Sequence, residues 1–214
     1  MCLPGRSTGP SRKMIDGFRH LDGYLDAEQQ RAYVQLVRAV LAQAPLYRPQ
    51  MPRSGKPFSI LMSNCGELGW VSDKDGGYRY QPHHPETGRP WPAMPRAFLE
   101  LWADVADWLA PPEACLINFY AVGTRLGSHV DCDETELRAP VVSVSLGDDA
   151  IFHVGGSKRA DRKVRMTLRS GDVVVLGGAS RRAYHGIDRV VAGTSDLLAD
   201  GGRINLTMRR VTAA

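Results

Sequence analysis

The stretch "GSHVDCDET" places a histidine and an aspartate, His129 and Asp131, two residues apart in a segment with almost nothing to bury. On an extended strand end, residues at i and i+2 point the same way, so these two side chains can share one ion. Such a pair also arises by chance, and it becomes a site only with a third ligand. His185, in "SRRAYHGIDRV", is the best candidate because it follows the strand-like run "GDVVVLGG". Two imidazoles and one carboxylate would occupy one face of a transition-metal ion and leave three positions open for reactants. The other histidines fit less well. His83 and His84 lie in a Pro-rich segment and His20 stands near the tail, while His153 sits among apolar strand residues, where a packed or surface role is expected.

This donor set is the one non-haem Fe(II) oxygenases use. Activating dioxygen at such a centre requires electrons, commonly from a keto acid chelated to the iron, and a dicarboxylate needs cationic anchors. The chain ends in "RINLTMRR", where Arg203, Asn205, Thr207 and Arg209 alternate and so face one side of a strand. Two guanidinium forks on one face suit bidentate carboxylate recognition better than they suit a core. In "NFY", Asn118 and Tyr120 alternate in the same way and add amide and hydroxyl donors.

The elements that must hold these residues can be read from the periodicity. Asp26 with Gln29 resembles a capped helix start, followed by Tyr33, Val37, Val40, Leu41 and Ala44 at helical spacing up to Pro45. A second helix opens at Pro95 and ends at Pro111 and Pro112. Its expected apolar face is Met94, Phe98, Leu101, Trp102, Val105, Trp108 and Leu109. From residue 115 the period becomes that of strands, in "CLINFYAV", "APVVSVSL", "DAIFHVGG", "KVRMTLRSGDVVVLGG" and "RINLTMRR". Val142, Val144 and Leu146 alternate with Ser143 and Ser145, as in a strand with one buried face. The expected architecture is mainly β (α+β), two helices packed on an antiparallel sandwich or jelly roll. Residues 45–93, rich in Pro, Gly and aromatics, read as a binding lid.

A chain of 214 residues with 43% hydrophobic and 23% charged residues folds as one domain, taken here as 14–214 with its catalytic core at about 115–212. Residues 1–13 read as a flexible tail. No run is long and apolar enough to span a membrane and the start lacks a secretory signal, so a cytoplasmic protein is expected. The four cysteines, Cys2, Cys65, Cys115 and Cys132, show no CxxC pairing and read as free thiols, Cys65 and Cys115 in the core. Net charge is +4, with basic clusters at Lys158, Arg159, Arg162, Lys163 and Arg165 and at Arg181 and Arg182. These suit a polyanionic partner, although a solvated basic face is the more ordinary explanation of charge alone.

The stretch "NFYAVGTRLGSHVDCDETELRAPVVSVSLGDDAIFHVGGSKR", with "GDVVVLGGASRRAYHGI" and "RINLTMR", resembles the AlkB family of bacterial Fe(II)- and 2-oxoglutarate-dependent nucleic-acid demethylases. The likeness extends upstream through "NCGELGW" and "PWPAMP". It implies a double-stranded β-helix with a nucleotide-recognition lid. It further implies that His129, Asp131 and His185 bind iron, that Arg203, Tyr120 and Asn205 hold the distal carboxylate of 2-oxoglutarate, and that Arg209 and Asn118 lie near its keto-acid end. The implied reaction removes methyl groups from 1-methyladenine and 3-methylcytosine in single- or double-stranded DNA, or in RNA. It consumes 2-oxoglutarate and O2 and releases formaldehyde, succinate and CO2. A monomer in a bacterial cytoplasm is expected, with no membrane partner.

Within that resemblance, Trp70 stands as a stacking plate, Tyr78 as a phosphate contact and Arg159 as a further substrate contact. Asp133 carries a physical argument of its own. Methylation at N1 of adenine or N3 of cytosine makes the base cationic, and a carboxylate beside a desolvated cation is strongly favoured. The competing role for Asp133 is a turn aspartate bonding its own backbone. Cys132 should face outward. Two other readings remain: the same chemistry on RNA, a protein or a small molecule, or a binding module with a structural metal. Structural zinc sites usually close with four protein ligands, which disfavours the second.

Overall fold

The computed structural model describes residues 15–213; the expected tail, residues 1–13, lies outside them. In chain order the elements are β1 (Phe18–Leu21), α1 (Ala27–Leu41), β2 (Leu61–Gly66), β3 (Gly69–Asp73), β4 (Gly77–Gln81), α2 (Arg96–Val105), β5 (Ala114–Tyr120), β6 (Leu126–His129), β7 (Val141–Gly147), β8 (Ala150–Val154), β9 (Val164–Leu168), β10 (Val173–Leu176), β11 (His185–Val190) and β12 (Arg203–Arg209). A six-stranded antiparallel sheet in the order β1-β10-β7-β12-β5-β2 and a four-stranded sheet in the order β6-β11-β8-β9 form the jelly roll, with β3 and β4 a separate hairpin. Among the described residues, no helix is long and apolar enough to cross a membrane.

The helices cover one face of the larger sheet. Asp26 caps α1, its side chain accepting from Glu28 and Gln29 while the Gln29 side chain accepts from the Asp26 N–H, which satisfies donors the first turn cannot pair. Val37, Phe98, Leu101 and Trp102 from the helices pack against Ile117, Val144, Leu206 and Met208 of the sheet. Each such side chain removed from water contributes roughly 1.5–3 kcal/mol. The helix expected to run to Pro111 stops at Val105, because Asp107 takes a left-handed φ of 53°. Leu109, expected on its apolar face, is therefore fully exposed.

The second core lies between the sheets, where Leu116, Tyr120, Val174 and Leu176 meet Phe152, Val154 and Ile187. The expectation of one buried face for β7 is corrected: Val142, Val144 and Leu146 pack toward the helices, while Ser143 and Ser145 turn into the sandwich and bond to β12.

Residues 45–93 are not all lid. β2 is the edge strand of the larger sheet, paired with β5 from Leu61↔Phe119 to Gly66↔Ala114. Its buried polar residues hid it from a hydrophobic-pattern reading. Ser63 Oγ donates to Ala44 O, and the Asn64 amide bonds both N and O of Trp70. The β3–β4 hairpin is the part that stands over the sandwich mouth.

Candidate active site

His129 closes β6 and His185 opens β11, and the two are direct cross-strand partners, with ring centroids 4.5 Å apart. Asp131 brings Oδ1 to 3.8 Å from His129 Nε2 and Oδ2 to 3.8 Å from His185 Nε2. One donor atom from each residue lies within 4.8 Å of the others, a spacing that an ion about 2 Å from each can bridge. The backbone orients both rings: His129 Nδ1 donates to Gly127 O and His185 Nδ1 to Ala183 O, each at 3.0 Å. A carbonyl can only accept, so each Nε2 is left with its lone pair toward the centre.

Burial pushes the His185 imidazole down to about 4, with His129 adding to the effect. Burial alone would raise the Asp131 carboxyl. Arg209, 2.8 Å away, together with His185 and His129, outweighs it and holds the group well below the usual carboxylate range. A neutral His185 imidazole beside an ionised Asp131 carboxylate matches the protonation states a divalent metal requires of such ligands. The donor set therefore fits iron.

β12 supplies the anchors for an acid. Because side chains alternate, Ile204, Leu206 and Met208 face the helices, while Arg203, Asn205, Thr207 and Arg209 line the sandwich interior. Arg203 is 1% exposed and stacks its guanidinium 5.3 Å over the Tyr120 ring. It donates to Ser145 Oγ at 3.0 Å, and its Nε and Nη1 are buried without a partner. A buried guanidinium with free donors is costly unless an anion meets it, so the residues present fit the distal carboxylate of a keto diacid. Asn205, expected to help hold the distal carboxylate, stands one step of the alternation from Arg203 on the same face. Both hydrogens of its amide are committed, to Ser143 Oγ at 2.7 Å and Val144 O at 3.0 Å, so it braces the anchor strand. Asn118 makes only long contacts, 3.4 Å to Asn205 and 3.5 Å to Thr207, and lines the cavity beside Tyr120.

Sequence reasoning missed Tyr80, Glu134 and Arg181. Arg209 Nη1 reaches Tyr80 Oη at 2.9 Å and Glu134 at 3.2 Å, and Tyr80 donates to Glu134 at 2.5 Å. The sequence groups Arg181 with Arg182 as a basic cluster on a solvated or polyanion-facing surface. Arg181 is instead 2% exposed and bonds Ala139 O, Asp131 O and Glu134. Arginine is the residue type for which buried pairing is commonest, but a lone sequence offers no sign of which arginine turns inward.

The proposed substrate residues meet at the mouth. Trp70 Nε1 donates to Asp133 Oδ2 at 2.7 Å. The Trp70 and Tyr78 rings stack at 5.4 Å and 25°, and Phe58 adds a third ring 6.2 Å from Trp70. Arg159 lies 5.3 Å over the Tyr184 ring. A cavity of about 410 Å³ takes in Tyr78, Trp70, Asp133 and Arg159, the three candidate ligands, and Arg203 at its floor. Cys132 is an exposed free thiol, whereas Cys65 and Cys115 are buried neighbours across β2 and β5. His153 is buried with Nδ1 2.8 Å from Asp188, as a packed residue would be. A second grouping, His20 with Asp22 and Asp172, is occupied internally: Asp172 accepts from Gly23 N, Arg169 N and the His20 ring.

This sandwich, with a His-Asp-His centre and a diacid anchor, defines an Fe(II)- and 2-oxoglutarate-dependent oxygenase, and the model of the 2OG-Fe(II) oxygenase superfamily matches residues 17–209. The alpha-ketoglutarate-dependent dioxygenase AlkB homolog of Caulobacter vibrioides is 49% identical over 203 residues, 94% of this chain and 90% of that protein. The alpha-ketoglutarate-dependent dioxygenase AlkB of Escherichia coli is 48% identical over 183 residues, 82% of this chain and 83% of that one. The solved structure of OsALKBH1 superposes with a TM-score of 0.80 at 29% identity, covering 93% of this chain and 99% of its own. The chain belongs to the AlkB family of alpha-ketoglutarate-dependent dioxygenases.

Proposed function

We propose that this enzyme restores alkylated bases in nucleic acid by oxidative demethylation, acting on 1-methyladenine and 3-methylcytosine in DNA. The observation that carries the base reading is the bond from Trp70 Nε1 to Asp133 Oδ2 at 2.7 Å. An aromatic plate and a carboxylate joined at right reach of each other match a flat heterocycle that carries a positive charge. Trp70 stacks on the base, Tyr78 contacts its phosphate, and Asp133 favours the cationic, alkylated form over the neutral base. A base inside a duplex cannot reach the centre, so it must be extruded, which is least costly where alkylation has already broken its pairing. Arg159, exposed at the mouth, meets the backbone of either a single strand or an opened duplex.

His129, Asp131 and His185 would hold Fe(II), with 2-oxoglutarate anchored by Arg203 and Tyr120 at one end and by Arg209 at the other. When bound, iron and keto acid supply the activation of dioxygen that hydroxylates the N-methyl carbon, and the resulting hydroxymethyl group leaves as formaldehyde. The protein's own part is orientation: Nδ1–H bonds aim both imidazoles, Arg209 fixes Asp131, and the β3–β4 hairpin shields the centre from water. The test incubates the protein with Fe(II), 2-oxoglutarate, O2 and an oligonucleotide bearing either lesion, following formaldehyde, succinate and base mass. Demethylation coupled to succinate is expected; an iron-loaded protein that leaves both lesions unchanged sinks the reading.

A further inference from the structure

We propose that Glu134 is a positioning residue that sets the charge around the metal ligands, making the centre neutral before the metal enters and tying that neutrality to the β3–β4 hairpin. The inference rests on the reading of His129, Asp131 and His185 as iron ligands.

Glu134 has no exposed side-chain surface, and Arg181 and Arg209 reach it at 3.0 and 3.2 Å. Arg209 also bridges to Asp131 at 2.8 Å, and Arg181 bonds the Asp131 carbonyl. Two guanidinium groups therefore converge on one ligand residue, Arg209 at its carboxylate and Arg181 at its backbone carbonyl. With Asp131 alone, this buried group would carry one net positive charge, which opposes the arrival of a dication. Glu134 adds the second negative charge and brings Asp131, Glu134, Arg181 and Arg209 to zero. A dication then enters a neutral environment, and a dicarboxylate co-substrate cancels the dication in turn. Arg203 lies outside this balance, held by Ser145 and Tyr120, and stays free for the far carboxylate.

The third partner gives the network its reach. Tyr80, on β4, donates to Glu134 at 2.5 Å and lies 2.9 Å from Arg209. Two residues before it on the same strand is Tyr78, which stacks on Trp70 in the substrate wall. One hydroxyl thus joins the substrate-facing hairpin to the guanidinium that holds Asp131.

The measurement is Mn(II) affinity without co-substrate, read from the resonance signal of free Mn(II), followed by calorimetric titration of 2-oxoglutarate into the Mn(II)-loaded protein. Four proteins are compared. The buried charge is zero in the parent, +1 in Glu134→Gln, −1 in Arg181→Gln and zero again in the double variant. The expected order of Mn(II) affinity follows that charge: Arg181→Gln binds most tightly, the parent and double variant come next, and Glu134→Gln is about 10- to 100-fold weaker than the parent, the range for losing a group that supports a ligand. In Glu134→Gln, affinity for 2-oxoglutarate is expected to stay level or rise, because Arg209 is released toward the anion. Where one variant fails to fold, the order of the remaining three still decides. A Glu134→Gln protein within twofold of the parent for Mn(II) overturns the proposal. So does one that loses Mn(II) and 2-oxoglutarate by like factors, as a merely loosened site would. A parent that binds no Mn(II) at all overturns the ligand assignment, and this proposal with it.

Discussion

The guanidinium of Arg203 lies 5.3 Å over the ring of Tyr120 and donates to Ser145, with Nε and Nη1 buried and unpartnered. Stacking fixes the plane of the fork, and the two idle donors are free for the carboxylate proposed to meet them. Arg203→Lys keeps the charge but loses both the plane and the fork. The KM for 2-oxoglutarate should rise by about 10- to 100-fold, the equivalent of one or two charge-assisted bonds, while kcat at saturating 2-oxoglutarate changes far less. Succinate formation against 2-oxoglutarate concentration checks this, and an unchanged KM removes the anchor role.

Asp133 and Trp70 should separate charge from stacking. Asp133→Asn is expected to cut kcat/KM for 1-methyladenine and 3-methylcytosine about tenfold or more, and to affect the neutral lesion 1-methylguanine much less. Trp70→Phe keeps an aromatic plate but frees Asp133 from its 2.7 Å bond, so its losses should be similar for cationic and neutral lesions. Equal losses for both lesion types in Asp133→Asn would remove the electrostatic argument.

A pH effect on stability should arise away from the metal centre. Burial holds His153 below the ordinary imidazole value of 6.5, against the pull of Asp188, and its Nε2 has no partner. A group with a depressed folded value contributes stability above the unfolded value. That share is lost as pH falls from about 6.5 toward the lower folded value, since the unfolded chain then binds the proton more readily. Asp188, also lowered, adds a loss at still lower pH. In metal-free protein, His153→Gln should flatten the fall of Tm just below pH 6.5; an unaltered slope would assign the effect elsewhere.

Leu206 faces the helices from the strand whose opposite face carries the anchors, and it is 0% exposed. Leu206→Ala should cost about 2–5 kcal/mol, read as a lower denaturant midpoint with an unchanged m-value. The KM for 2-oxoglutarate should stay within a few-fold of the parent if the two faces act separately.

The chemistry of this chain was more legible in its sequence than the scaffold was. His129 with Asp131, and the alternation from Arg203 to Arg209, could be read because a strand's period of two converts spacing directly into a shared face. The limits of the second helix could not, since nothing in "DWLAPP" marks Asp107 as the residue that turns left-handed. β2 escaped because its interior holds Ser63 and Asn64, whose burial depends on partners far along the chain. Glu134 and Arg181 escaped for the same reason. A charged residue is taken for surface until its counter-charge is found, and the counter-charges of Glu134 come from β12 and the turn before β11. Asn205 was placed correctly on the strand, yet its amide serves Ser143 and Val144, a detail set by strand order rather than by pattern.

The six-stranded sheet puts β12 near its middle, hydrogen-bonded on both sides, while Trp70 and Tyr78 ride on a two-stranded hairpin that belongs to neither sheet. The alternating polar face of β12 and the Trp70–Tyr78 stack are thereby written on separate pieces of chain. β12 is held by seven backbone pairings along each flank, so its face is hard to alter piecemeal. Apart from Tyr80, the hairpin can be varied without touching that strand, which makes it the natural place to select for altered lesion preference while the β12 face is inherited intact.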